Sequence, residues 1–151
     1  MKKRIASVIF QLTMSVLLIA CFGLFDSSSE TITGRYKVMW IDLQVQQFIC
    51  REFEENSNGC VTVVPEYVFA VGHNESFIIA KQHPTSGFEN GFKLDTSVTN
   101  YYIIDISEES KTKEHQLFGP LSKEEFDQKR KEFGIEQISF EITYPENPGW
   151  N

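Results

Sequence analysis

EYVFAVGHNESFIIAKQHP, Glu66 to Pro84, decides how the rest of the chain is read. Two apolar, aromatic and β-branched runs flank Gly72-His73-Asn74-Glu75, and such runs separated by a short Gly/Asn segment predict a β-hairpin. Its second strand places Phe77 and Ile79 on one face and Ile78 and Ala80 on the other, so neither face is polar. Downstream, NYYIIDIS repeats the pattern, with Tyr101 and Ile103 against Tyr102, Ile104 and Ile106. Strands apolar on both faces need cover on both.

Upstream, RYKVMWIDL alternates, with Tyr36, Val38, Trp40 and Asp42 on one side and Lys37, Met39, Ile41 and Leu43 on the other, which predicts a strand. VQQFICREF follows as its partner, and CVTVV is a further strand that ends at Pro65, which cannot donate to a ladder. A polar loop is expected from Thr85 to about Thr99. One helix is expected around 122–133: Ser122 caps it, Glu125 completes a capping box, Gly134 ends it, and acids precede bases along it. Its apolar residues are Phe126 and Phe133, with Leu121 just outside, too narrow a stripe to cover a sheet face. The other cover must come from the N-terminal strands folded across or from a partner. QISFEITY predicts a last strand with Ile138, Phe140 and Ile142 on one side. The fold class is therefore α+β, mainly antiparallel sheet, meander or sandwich-like, with one C-terminal helix.

The N-terminus carries a different signal. Lys2-Lys3-Arg4 precede an apolar run from Ile5 to Ala20, which is shorter than the roughly 20 residues of a membrane-spanning helix and interrupted by Ser7, Gln11, Thr13 and Ser15. Basic flank, apolar run and small residue are the layout of a secretory signal. An ordinary signal that happens to contain a cysteine, or a short anchor helix, would share part of this. Leu18-Ile19-Ala20-Cys21 adds the fourth feature and resembles the lipobox of bacterial lipoproteins. That resemblance implies a diacylglyceryl Cys21 at the mature N-terminus, acylated after cleavage, and multiple acyl chains suffice for stable attachment. The expected organisation is a signal peptide over 1–20, a lipidated cysteine and short tether over 21–31, and a single domain over 32–151.

Removing residues 1–20 removes three cations and no anions, taking the formal charge from −7 to −10. Nucleic-acid binding would call for clustered Lys and Arg, so no nucleic-acid partner is expected. About 120 residues remain after the tether, enough for one core. With Cys21 lipidated, Cys50 and Cys60 remain in an oxidising compartment, and REFEENSNG between them supplies turn residues. A disulfide closing a hairpin tip is expected, two separate buried thiols being the alternative.

Catalytic signatures are scarce. The sequence contains no GxGxxG, GxxxxGK[ST], HExxH or GxSxG pattern and no EF-hand loop. Its three histidines are His73, His83 and His115, and the first two would sit at opposite ends of a strand, about 25 Å apart at 3.3 Å per residue. No metal and no cofactor are expected. Asp105, the charged residue in an otherwise apolar strand, and Tyr101, Tyr102 and His73 are the candidate binding residues; their ordinary roles would be a strand-end carboxylate, core aromatics and a turn residue.

The stretches VFAVGHNESFIIAKQHP, NYYIIDI and GPLSKEEFDQKRKEFGI, about a third of the chain, together resemble a family of small bacterial lipoproteins with an uncharacterised domain. The resemblance implies a bacterial source and one small domain, and transfers no site. The expected protein is a lipid-anchored envelope protein, tethered to the membrane at Cys21 with its domain facing periplasm or exterior, that binds a protein or envelope component without catalysis. An immunity-type inhibitor of an envelope toxin and an envelope hydrolase using Asp105 or a histidine are the alternatives.

Overall fold

The computed structural model describes residues 27–41, 45–55, 59–86, 93–107 and 115–146. The signal segment, the lipobox and Cys21 lie outside the described residues.

Strands β1 (Ser27–Thr33), β2 (Tyr36–Ile41), β3 (Phe48–Glu52) and β4 (Cys60–Val64) form an antiparallel meander, in that order. A second sheet contains β5 (Val68–His73), β6 (Phe77–Gln82), β9 (Asn100–Asp105), β10 (Gln116–Leu121) and β11 (Ile142–Thr143), ordered β10-β9-β6-β5-β11. Two short strands, β7 (Thr85–Ser86) and β8 (Lys93–Leu94), pair within the loop that follows β6. A helix, α1 (Lys123–Phe133), follows β10. The protein is thus mainly antiparallel β with a single C-terminal helix among the described residues.

The predicted hairpin lies in the middle of the second sheet. Asn74 closes its turn by accepting from the backbone N–H groups of Ser76 and Phe77 at 2.9 and 2.8 Å. Gly72, read from the sequence as part of that turn, instead sits inside β5 opposite Ile79. Its task is close approach: a Cβ there would come within 1.9 Å of the Ser139 carbonyl oxygen.

Both apolar faces are covered, by different means. Ile78, Ala80, Tyr102 and Ile104 face the first sheet and pack with Tyr36, Val38, Ile49 and Val64, so the N-terminal strands do fold across to complete this core. Ile79 and Ile103 face the other way and pack with Phe126 from α1 and with Ile135 and Ile138 beyond it. The helix is as narrow as its sequence indicates, with Phe126 its buried residue. Its capping box at Ser122 and left-handed Gly134 stop are present.

Two expectations are corrected and one strand is added. Residues 27–31, expected in the tether, belong to β1, whose exposed Ser, Glu and Thr side chains need no core because the ladder to β2 is made by backbone. Gln116–Leu121 carries no clear strand signal because Gly119-Pro120 interrupts it; a register shift between Phe118 and Leu121 carries the proline past the ladder at a sheet edge, where a missing donor is tolerated. The last strand is not continuous over 137–144: Ile142–Thr143 alone pairs with β5. Before it, Arg130 donates to the carbonyls of Ile135, Glu136 and Ile138 and folds residues 135–138 beneath the helix. Ile138 and Phe140 therefore pack on the helix side, and Ile142 packs on the inter-sheet core.

Cys50 and Cys60 are bridged across β3 and β4, with Cα atoms 5.7 Å apart. The Met39 sulfur lies 3.2 Å from Cys50 Sγ and 3.4 Å from Cys60 Sγ, a soft apolar cover over the bridge. A closed loop of 10 residues restricts the unfolded chain by about 2.7 kcal/mol in the chain-entropy description. Replacing both cysteines by alanine is expected to lower unfolding free energy by about 2–3 kcal/mol in urea titrations. A loss below about 1 kcal/mol would contradict that account.

Tyr144 joins the two ends of the domain: its hydroxyl donates to the Glu30 carboxylate at 2.7 Å. Burial, then the Glu30 hydrogen bond and charge, push its phenol far above the usual range, and burial also raises Tyr102. In the unfolded chain these phenols ionise near pH 10. Folded values above that mean a contribution fully present below pH 10 and lost as pH rises further. Thermal stability is expected to fall from about pH 10 upward, and Tyr144→Phe should flatten part of that slope. A profile identical to wild type would refute the assignment.

Candidate functional site

One end of the sandwich is open. There, β2 ends at Ile41, β3 begins at Phe48, the chain leaves β4 through Pro65-Glu66-Tyr67, β6 ends at Gln82 and β9 begins at Asn100. Between these ends lies a cleft of about 500 Å³, walled also by Thr62, Pro84, Thr85 and Tyr102.

The cleft walls are held by hydrogen bonds from residues distant in sequence. Tyr67 adopts φ +70°, a left-handed conformation that costs a non-glycine residue on the order of 1–3 kcal/mol. Its surroundings over-determine it. The Tyr67 carbonyl accepts from the His83 N–H at 3.2 Å, its hydroxyl accepts from Gln46 Nε2 at 3.3 Å, and the neighbouring Val68 N–H donates to the Gln47 carbonyl at 2.9 Å. Gln82, itself buried, donates to the Glu66 carbonyl at 2.9 Å and accepts from Asn100 Nδ2 at 3.0 Å, so one amide ties the β4–β5 link to the start of β9. Strained backbone held this firmly clusters at binding and active sites.

Of the candidate residues read from sequence, Tyr102 lines this cleft. Tyr101 points to the other side of the sheet and packs on Phe126, ring centroids 4.8 Å apart. Asp105 closes the end of β9, accepting from the Ser107 N–H at 2.9 Å and the Ser107 hydroxyl at 2.6 Å, an ordinary turn-capping role. His73 is exposed at the opposite end of the sandwich, where β5 meets its turn. The four therefore do not converge on one site.

His83 carried no such expectation and is nevertheless buried beside the cleft wall. It stacks on Phe69 with ring centroids 4.3 Å apart, and its Nδ1–H donates to the Val98 carbonyl at 2.7 Å. That bond fixes the tautomer and leaves Nε2 facing the Glu146 carboxylate at 3.6 Å. Among the described residues, no three His, Cys, Asp or Glu side chains gather into a metal site.

The family described as protein of unknown function DUF3997 matches residues 33–144, about three quarters of the chain. The chain belongs to that family. Every residue named in the cleft walls lies inside the DUF3997 match, whereas Cys21 and most of β1 precede it. Neither the curated proteins nor the solved structures contain a match to this DUF3997 chain. The signal in the sequence that could have located the cleft is the pair of X-Pro steps, Val64-Pro65 and His83-Pro84, which end β4 and follow β6 where the walls turn.

Proposed function

We propose that this is a lipid-anchored protein of the bacterial envelope whose DUF3997 domain acts by binding, with the end cleft as its binding surface. The observation that carries the reading is the chemistry of the lining. Aromatic rings, prolines, hydroxyls and the hydrogen-bonded amides of Gln82 and Asn100 make up most of it, and the one carboxylate among its described residues, Glu66, is exposed. Tyrosine phenols are neutral at physiological pH, and burial moves that of Tyr102 further from ionisation. Such a surface recognises shape and hydrogen bonds. Acid–base catalysis would call for paired groups with pKa values displaced toward the working pH. The anchor is supported by Lys2-Lys3-Arg4, the apolar run and Leu18 to Cys21.

A thermal-shift screen of uncharged envelope components, run on wild type and on Thr85→Trp, tests the cleft. A ligand at 100-fold its Kd adds about 2.7 kcal/mol to the folded state. Stabilisation of wild type that the tryptophan abolishes supports the reading, and chemical conversion of a ligand on mixing overturns it. For the anchor, Cys21→Ser is expected to abolish labelling by radioactive palmitate and to leave slowly processed precursor. Unchanged membrane retention and processing would refute the lipobox.

A further inference from the structure

We infer that the open end of the sandwich, with its cleft, faces the membrane, and that the partner of this surface is the lipid bilayer holding the protein's own anchor. The inference rests on the lipid-anchor reading of Cys21 and adds an orientation to it.

The register of β1 decides the geometry. Ser27, its first residue, pairs with Ile41 of β2, and Ile41 is a wall of the cleft. The chain therefore enters the domain at the cleft end. Between Cys21 and Ser27 there are six residue steps, which span at most about 20–22 Å when fully extended. The opposite end of the sandwich, marked by the turn after Thr33 and by Glu75, lies a further six steps along β1, about 20 Å at 3.3 Å per residue. To bring that end to the bilayer, the link would have to lie stretched along the whole length of the domain. Every shorter path presents the cleft end.

Exposed apolar side chains occur at both ends of the sandwich, Phe53 at 63% beyond β3 and Ile41 at the cleft, so the entry point of the chain and the length of the link carry the orientation. Ile41 is 53% exposed at the lip, beside the partly exposed ring of Phe48 and with Pro65 and Pro84 across from it. Among the described residues that wall the cleft, Glu66 is the acidic one, in a chain whose formal charge after cleavage is −10.

The experiment uses the mature lipidated protein in vesicles of phosphatidylethanolamine and phosphatidylglycerol containing a head-group nitroxide. With Cys50 and Cys60 bridged and Cys21 acylated, an introduced cysteine is the free thiol for a fluorophore. Labels at Thr85→Cys and Ile41→Cys, on two walls of the cleft, are expected to be quenched several-fold more than a label at Glu75→Cys. Inserting twenty Gly/Ser residues after Asp26 should remove the difference. A protein that floats with the vesicles but shows equal or reversed quenching overturns the orientation alone. A protein that fails to float overturns the anchor reading beneath it.

Discussion

Gly72→Ala is expected to destabilise the domain by about 3 kcal/mol or more, above the usual range for overpacking, because the obstacle is backbone and not a side chain that can turn aside. The added Cβ would lie 1.9 Å from the Ser139 carbonyl oxygen and 2.8 Å from its carbon. Relief requires residues 138–141 to move off β5, which also threatens the Glu141 N–H to Val71 carbonyl bond at 3.1 Å and the Tyr144 N–H to Phe69 carbonyl bond at 2.8 Å. For a domain of this size such a loss lowers Tm by roughly 10 °C. Circular dichroism melts would check it, with Gly34→Ala as comparison: Gly34 has a positive φ of 53°, but a Cβ added there would meet nothing within 4 Å, so it should lose far less. Equal effects at the two positions would show that the approach of Ser139 is not what Gly72 serves.

Phe126→Ala is expected to cost about 3–5 kcal/mol, the range for truncating a buried aromatic ring. Phe126 is 1% exposed and is the side chain through which α1 is buried against Ile79 and Ile103. Its ring packs with Tyr101 and Phe140 and lies 5.3 Å from the Arg130 guanidinium, so truncation loosens the same arginine that folds residues 135–138. An isolated helix of 11 residues is marginal in water, so α1 depends on this docking. Urea unfolding followed at 222 nm would measure the loss. The partly buried Phe133→Ala should lose less, and a Phe126→Ala penalty below about 1 kcal/mol would mean that Ile135 and Ile138 cover the sheet without the helix.

Local chemistry makes much of this architecture readable from the chain. Ser122, Glu125 and Gly134 satisfy helix ends through groups within a few residues of each other, so their pattern survives in any tertiary setting. The alternation in Phe77 to Ala80 and Tyr101 to Ile104 records that both faces of the strands are covered, which the two cores bear out. Cys50 and Cys60 needed only a turn between them and came within bridging distance. β1 is illegible in the sequence because edge pairing is a property of backbone, and Ile32 is its one buried side chain.

The cleft is illegible for a different reason. Its walls come from the ends of strands that are far apart along the chain, and long-range hydrogen bonds such as those of Gln82 to Glu66 and Asn100 and of His83 to Tyr67 tie them together. Of the candidate residues, Tyr102 reaches it while Tyr101 turns to the helix, because adjacent strand residues face opposite sides of the sheet. The chain alone thus settles what short-range periodicity, capping and turn chemistry can encode: the hairpin, the helix and its limits, and the need for two covers. Packing settles the rest. Whether Gly72 turns or makes way for Ser139, where Ile138 and Ile142 part, and which strand ends enclose a cleft all depend on contacts between residues whose separation in sequence carries no local signal.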